Sequence, residues 1–412
     1  MPLGLLTLIN VLNYLDRYVG AAILPLMLAG LALSDAAGGT LQSAFIVTYA
    51  LVSPAAGWLG DRHPRLVISA IGVGVWSLAT IGSGLAPTYA ALLAARAVTG
   101  VGEASYSVVT PSVIADLYPP ERRGRALALF YAAIPMGTAL GYVVGGAIGT
   151  AWGWRSAFLV AGAPGALLAL ALLLVREPRR GVFDTDTVAP TGLGLGPSLR
   201  ALRARRSYVF NTVGQVIYTF ALGGLATWMP TYFVRERGLP LSAATFRFGA
   251  VLLLAGFGGT LVGGALGDWM ARRVRAGHFL VSGWALLVST VFATVAVLSS
   301  EPSVYWPAIG AALLLVFLNV GPLNAAMANV LPPDLRARGI AISTMAMHLL
   351  GDAASPWLIG LSSDRVGLMV PVFGTGLLLG VSGVILLLGA RSLDHDLRSA
   401  LPPGTMHGGA HQ

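Results

Sequence analysis

Apolar residues run along this chain in long blocks, and polar residues are confined to short breaks between them. A helix that crosses a bilayer needs about 20 predominantly apolar residues. By that measure the first part of the chain predicts spans at about 3–32, 38–60, 66–86, 88–117, 124–150 and 154–176. A second set follows at about 206–234, 243–271, 277–299, 303–330, 337–363 and 367–391. Several exceed the crossing length, which permits tilt without fixing its angle. The expected fold class is an all-α membrane protein with twelve transmembrane helices in two six-helix, pseudo-symmetric bundles. Its expected parts are an N-terminal bundle over 1–176, a cytoplasmic linker over 177–205, a C-terminal bundle over 206–391 and a disordered cytoplasmic tail over 392–412. The linker is rich in Pro and Gly at first and basic at its end. There Leu199 and Leu202, among Arg200, Arg203, Arg205 and Arg206, outline either a short helix on an anionic leaflet or a solvated segment.

Composition supports the membrane class. Of 412 residues, 56% are hydrophobic and 10% are charged, with a mean hydropathy of +0.76; a soluble domain carries about 25% charge. The chain has no cysteine, which removes disulfide and thiolate chemistry. The opening MPLGLLTLINVLNYLDRY has neither a charged leader nor a small-residue cleavage site, so it reads as the first span. All 26 basic residues are arginine, and 19 of them fall on one side of the twelve-span layout. These are Arg62 and Arg65, Arg122, Arg123 and Arg125, seven in the linker region, Arg272, Arg273 and Arg275, Arg336 and Arg338, and Arg391 and Arg398. Arg155, Arg235, Arg237, Arg247 and Arg365 fall on the other side. The bias places both termini in the cytoplasm, with a bacterial inner membrane as the expected location. It also assigns the net charge of +9 to topology, so no nucleic-acid partner is expected.

The halves repeat each other. GWLGDRHPR over 57–65 recurs as GALGDWMARR over 264–273, with Asp61 and Asp268 separated by 207 residues. YPPERRGRALAL over 118–129 recurs as LPPDLRARGIAI over 331–342, with Pro119 and Pro332 separated by 213. Two motifs repeating at nearly one offset point to parallel six-span halves, an arrangement of transporters with a substrate site near the membrane midplane. The first motif matches the Gly-x-x-x-Asp-Arg loop of the major facilitator superfamily, with Pro64 where Gly is usual. Its expected role is a latch in which Asp61, Arg62, Arg65 and Arg122, and their counterparts Asp268, Arg272 and Arg336, pair in one state and part in another. A plain topology signal with a helix cap would look the same.

Four charges lie inside spans. Arg96 and Glu103 stand seven residues apart in span 4, two helical turns, so they share a face. Asp16 and Arg17 lie in span 1, where Asn10, Asn13 and Arg17 share a face. Ionisable groups at that depth cost a few kcal/mol each and mark function by default. Arg17 and Arg96 are fixed cations, suited to a substrate head group. Asp16 and Glu103 can titrate; burial and a neighbouring guanidinium pull their protonation in opposite directions, and movement changes that balance. A structural ion pair locking span 1 to span 4 is the alternative. Further polar lining is expected from Gln215 and Tyr218 in span 7, Asn319 and Asn324 in span 10, and His348 with Asp352 in span 11. The last two, at i and i+4, read as a hydrogen-bonded pair in preference to a second proton site, and no metal site keeps register. In span 5, Gly137, Gly141, Gly145 and Gly149 recur at every fourth position, which suits close helix packing. The run resembles an antiporter motif, with Tyr142 in place of its Pro.

NYLDRY, GVGEASY and LYPPERRGRA together resemble the Spinster branch of the major facilitators, over essentially the whole chain and most strongly over 13–146. The resemblance implies a proton-linked carrier of lysophospholipids or sphingoid lipids, with Asp16, Arg17, Arg96 and Glu103 coupling protons to transport. It implies no cofactor beyond the proton gradient. The expected partners are an amphiphilic substrate, protons and the bilayer, and the expected state is a monomer. A regulatory extension before span 1 is not expected. A drug or organic-anion exchanger on the same core is the alternative. No phosphate-binding loop, zinc-protease motif or nucleophile elbow points to an enzyme.

Overall fold

The computed structural model describes residues 2–183 and 195–399; the expected tail beyond Ser399 and part of the expected linker lie outside them. The regular elements among the described residues are all helical. In the first half they are α1 (Pro2–Ala22), α2 (Leu24–Gly30), α3 (Asp35–Arg62), α4 (Arg65–Leu85), α5 (Tyr89–Leu117), α6 (Pro120–Tyr131), α7 (Ala133–Trp152) and α8 (Trp154–Leu173). The linker helix α9 (Leu195–Ala204) follows. The second half comprises α10 (Arg206–Arg237), α11 (Leu241–Ala271), α12 (Gly277–Leu298), α13 (Pro302–Phe317), α14 (Val320–Val330), α15 (Pro333–Ala346), a π-helical turn (Met347–Asp352), α16 (Ala354–Val366) and α17 (Met369–Ser399).

Every expected span is present, but spans 1, 5, 10 and 11 are broken. Span 1 breaks at Ile23, two residues before Pro25, and span 5 breaks at Ala132. Span 10 breaks at Leu318 and Asn319, and span 11 passes through the π-turn. Nine helices or helix pairs among the described residues are long and apolar enough to cross a bilayer. The remaining three spans are the first, fourth and eleventh, which are also those with the polar residues Asp16, Arg17, Arg96, Glu103, His348 and Asp352.

Local sequence sets the helix ends. Ser34 and Thr88 cap α3 and α5, each accepting from a backbone N–H three residues on at 3.2 Å. Prolines occupy the first turns of α6, α13 and α15, where a missing N–H costs nothing. The α7–α8 and α16–α17 junctions turn at Gly153 and Gly367, with φ of 85° and 80°, a backbone conformation that side chains disfavour.

The chain divides into two compact units. The first comprises Met1–Thr187, Phe220–Phe257 and His348–Thr375. Its buried cluster includes Leu6, Ile9, Trp76, Tyr106, Ile114 and Phe130. Lipid tails are as apolar as such side chains, so close fit and internal hydrogen bonds hold membrane helices together more than dehydration does. The glycine run of α7 provides that fit: a Cβ at Gly141 would lie 2.6 Å from the Leu15 carbonyl oxygen, and one at Gly145 would lie 2.8 Å from Ala22 Cβ. The expected packing role of the run is therefore explained by its contact with α1. Gly39 of α3 and Gly360 of α16 likewise meet the backbones of Pro356 and Asp35. The second unit comprises Val188–Thr219, Gly258–Met347 and Gly376–Gln412. There Ser382 donates to the Gly214 carbonyl at 2.7 Å and Ser289 to that of Ala312 at 3.0 Å.

Candidate functional site

The packing of α1 on α7 puts Asp16 and Arg17 on a segment whose backbone is backed by Gly137 and Gly141. From there Arg17 reaches α5. Its Nη2 and Nε donate to Glu103 Oε2 at 2.7 and 3.1 Å, and Glu103 is fully buried. The guanidinium is also enclosed by rings, with the centroids of Tyr14, Phe45 and Tyr49 at 4.9, 5.1 and 5.2 Å. Phe45 faces a second cation as well: Arg96 lies 5.0 Å from its centroid and 5.9 Å from that of Phe158. Asp16 accepts a hydrogen bond from Thr80 of α4 at 2.5 Å. The four charges expected from the sequence are thus brought together, with Arg17 paired to Glu103 and Asp16 held by Thr80.

The cluster is incompletely bonded. Among the described residues, Asp16 Oδ1 and Nη1 and Nη2 of Arg96 make no hydrogen bond. Buried donors and acceptors are ordinarily satisfied, so these orphaned groups mark a place for water or a ligand head group. A cavity beside Arg96, bordered by Gly20, Leu24, Gln42, Phe158 and Thr227, has room for about one water molecule. With both carboxylates ionised the cluster is formally neutral; one added proton leaves it with a net positive charge.

The other expected lining residues are engaged elsewhere. Asn10 donates to the Phe130 carbonyl at 3.0 Å, just before the break in span 5. In the second unit, Gln215 donates to Asn211 Oδ1 at 2.6 Å, and Tyr218 donates to the Val316 carbonyl at 3.2 Å. Asn319 and Asn324 donate to carbonyls of their own helical turns. His348 Nδ1 lies 2.9 Å from Asp352 Oδ2, as expected of a bonded pair, but the turn between them is π and not the continuous α-helix that the sequence suggested. The His348 ring lies 5.8 Å from that of Tyr49, so this pair adjoins the aromatic enclosure of Arg17.

The loop residues expected to form a latch form no ion pair with one another among the described residues. Arg65 is buried and pairs with Asp116 at 2.6 Å and Glu177 at 3.2 Å. Glu177 also accepts from the N–H groups of Arg65 and Leu66, capping α4. Arg62 instead lies over the Trp58 ring at 4.3 Å. Among the described residues the Asp61 carboxylate makes no ion pair; its carbonyl accepts from Arg180, which also bonds the Gly60 and His63 carbonyls at the end of α3. In the second half Asp268 and Arg272 are exposed, and Arg336 Nη2 makes a long bond of 3.4 Å to the Leu331 carbonyl. Arg122 is exposed. Helix α9 forms as the linker sequence allowed, but Leu202 is buried against α15 near Gly339, so its apolar side meets protein and not a leaflet.

Sequence reasoning missed a second ionic cluster in the first unit. Asp35 pairs with Arg235 at 2.7 Å and accepts from Ser363 at 2.5 Å. Asp364 accepts from the N–H groups of Asp35 and Ala36 at 2.8 and 2.9 Å, capping α3. An acid directly after Ser34 at a helix start was the only local signal. It also missed Thr80 and the rings of Tyr14, Phe45 and Tyr49, which look like ordinary apolar-helix residues.

Residues 6–356 match the Major Facilitator Superfamily. Protein spinster homolog 3 of Danio rerio is 34% identical, covering 89% of this chain and 77% of its own. The sphingosine-1-phosphate transporter SPNS2 of Xenopus tropicalis is 33% identical, covering 88% and 73%. Protein spinster homolog 1 of Homo sapiens is 35% identical, covering 88% and 72%. Among solved structures, a bacterial homolog of the human lysosomal transporter spinster, inward-facing and unoccupied, superposes with a TM-score of 0.86. It is 25% identical and covers 96% of this chain and 97% of that one.

Proposed function

From the premise that this chain belongs to the Spinster branch of the major facilitator superfamily, we propose that it is a proton-coupled secondary transporter of lysolipids or sphingoid-type amphiphiles. The sphingosine-1-phosphate transporter among its relatives supports a lipid-like substrate. The observation that carries the coupling is the buried cluster in which Arg17 pairs with Glu103 while Arg96 and Asp16 keep unmet hydrogen-bonding groups. With both acids ionised, the two guanidinium charges are balanced. Protonation of Asp16 or Glu103 frees a positive charge for an anionic or zwitterionic head, and arrival of the head favours the protonated state by the same linkage. The tail lies along apolar wall, and movement of α1 against α5 would make or break the Arg17–Glu103 pair during alternating access. The arginine bias supports cytoplasmic termini and a bacterial inner membrane.

The test is uptake into liposomes under an imposed pH gradient, with a panel of lysophospholipids, sphingoid bases and their phosphates, drugs and sugars. Gradient-dependent uptake of the amphiphiles alone supports the proposal. Exchange of drugs or organic anions in preference to lipids would replace it with the exchanger reading.

A further inference from the structure

A groove in the second unit, away from the charged cluster, has the makings of a lipid-binding site. It holds about 510 Å³ and is lined by Arg203 of α9, Arg206, Val209 and Phe210 of α10, and Leu388, Arg391 and Ser392 of α17. Its three arginines are exposed, and none makes an ion pair or side-chain hydrogen bond among the described residues. Three unpaired guanidinium groups around one recess repel each other, and an anion offsets that cost. The floor is apolar: Val209 and Leu388 are 37% and 40% exposed, too open for core residues and suited to an acyl chain.

Depth in the membrane decides the class of ligand. The apolar spans read from the sequence start at 206 in α10 and end at 391 in α17. The groove therefore sits where both helices leave the hydrocarbon, with cations at head-group level and apolar residues beneath them. Its frame is braced. Asp396 accepts from the Ser207 N–H and hydroxyl at 2.7 and 2.5 Å, tying α17 to the start of α10. Arg338 donates to Ser198 at 2.7 Å, and Leu202 is buried, so Arg203 projects from a helix anchored to α15.

We infer that this groove binds an anionic phospholipid, its phosphate held by Arg203, Arg206 and Arg391 and its chains on Val209, Phe210 and Leu388. The occupant is a resident lipid and not transported cargo, and the inference rests on the proposed orientation only in naming the cytoplasmic leaflet as its source. By joining α9 to α10 and α17, such a lipid would fix the linker helix to the second unit.

The test equilibrates purified full-length protein in phosphatidylcholine mixed micelles with fluorescent phosphatidylglycerol and reads the bound fraction. The wild type is expected to prefer phosphatidylglycerol. At roughly five-fold per arginine near an anionic surface, R203Q/R206Q/R391Q weakens that binding on the order of 100-fold and leaves phosphatidylcholine unaffected. R203K/R206K/R391K retains most of it, which separates charge loss from misfolding. R272Q/R273Q/R275Q, carrying the same charge change outside the groove, should weaken binding less than about three-fold. Equal loss in both glutamine variants would reduce the effect to diffuse surface charge. Displacement by soluble glycerol phosphate at the same concentration as the lipid would make it a free-anion site. Absence of any phosphatidylglycerol preference in the wild type would also overturn the inference.

Discussion

The two halves share a backbone frame and differ in where they keep charge. Pro119 and Pro332 lead into α6 and α15 with nearly identical dihedrals, φ −64° and −63°, ψ 158° and 152°. Gly153 and Gly367 turn the corresponding junctions. Arg62 lies over Trp58 at 4.3 Å and Arg273 over Trp269 at 3.9 Å, so each half has a loop cation–ring contact, although at the 207-residue offset Trp58 corresponds to Ala265 and the two are out of register. Charge does not follow the frame. At the 213-residue offset, Arg96 and Glu103 correspond to Ile309 and Val316, and Asp116 to Asn329. Arg65 is buried between two acids, whereas Arg272, its counterpart at the 207-residue offset, is exposed. The Arg17–Glu103 and Arg65–Asp116 pairs therefore have no counterpart at these offsets in the second half, whose buried acid Asp396 instead accepts from Ser207. A buried ion pair is weak as a source of stability, so the Arg17–Glu103 pair, present in one copy, points to use.

The sharpest break of this contrast is Glu103→Gln, which gives the first half an uncharged residue where the second has Val316. Arg17 then lacks its partner, at a cost of about 3–5 kcal/mol. Thermal unfolding should show the loss, and pH-dependent uptake in liposomes should disappear. An unchanged pH response would remove Glu103 from coupling. Next in size is Arg96→Ala, expected to lower transport of an anionic-headed amphiphile about ten-fold more than that of a neutral one, for the loss of one charge-assisted contact. Equal losses would mark Arg96 as structural.

Exchanging the loop residues tests the frame directly. Asp116→Asn should destabilise by about 2 kcal/mol, since Arg65 keeps Glu177 as its second partner. Asn329→Asp, at an exposed position, should stay within about 0.5 kcal/mol. Similar effects of the two in thermal unfolding would contradict the claimed asymmetry. The smallest effect is expected at the two cation–ring contacts: Trp58→Ala and Trp269→Ala should each cost about 0.5–1 kcal/mol, and by like amounts.

The spans were legible because about 20 apolar residues have few other uses, and the repeat because Pro and Gly keep their backbone roles under duplication. The charged cluster was legible as a set, since each ionisable residue stands out in apolar surroundings. Its internal pairing was not. That Arg17 meets Glu103 while Asp16 meets Thr80 depends on helix rotation around α7, and local periodicity does not encode it. Asp35 and Asp364 are 329 residues apart, and each resembles a surface acid on its own. The enclosing aromatics were hidden for the opposite reason, because Tyr14, Phe45 and Tyr49 are unremarkable in a membrane helix. The breaks at Ile23, Ala132 and Asn319 had a visible cause in Pro25, Pro135 and Pro322, each two or three residues on, where the ring removes a backbone N–H from the helical ladder.

The π-turn in span 11 gives the chain a form of slack. The Ala353 N–H reaches back five residues to the His348 carbonyl at 2.9 Å, one more than in an α-helix. One residue is therefore stored in the width of the helix instead of its length. Releasing it would lengthen the rod by about 1.5 Å and turn one end by about 100° relative to the other. His348 and Asp352 lie within that turn, so its hydrogen-bond register and the bond between these two side chains are parts of a single adjustment.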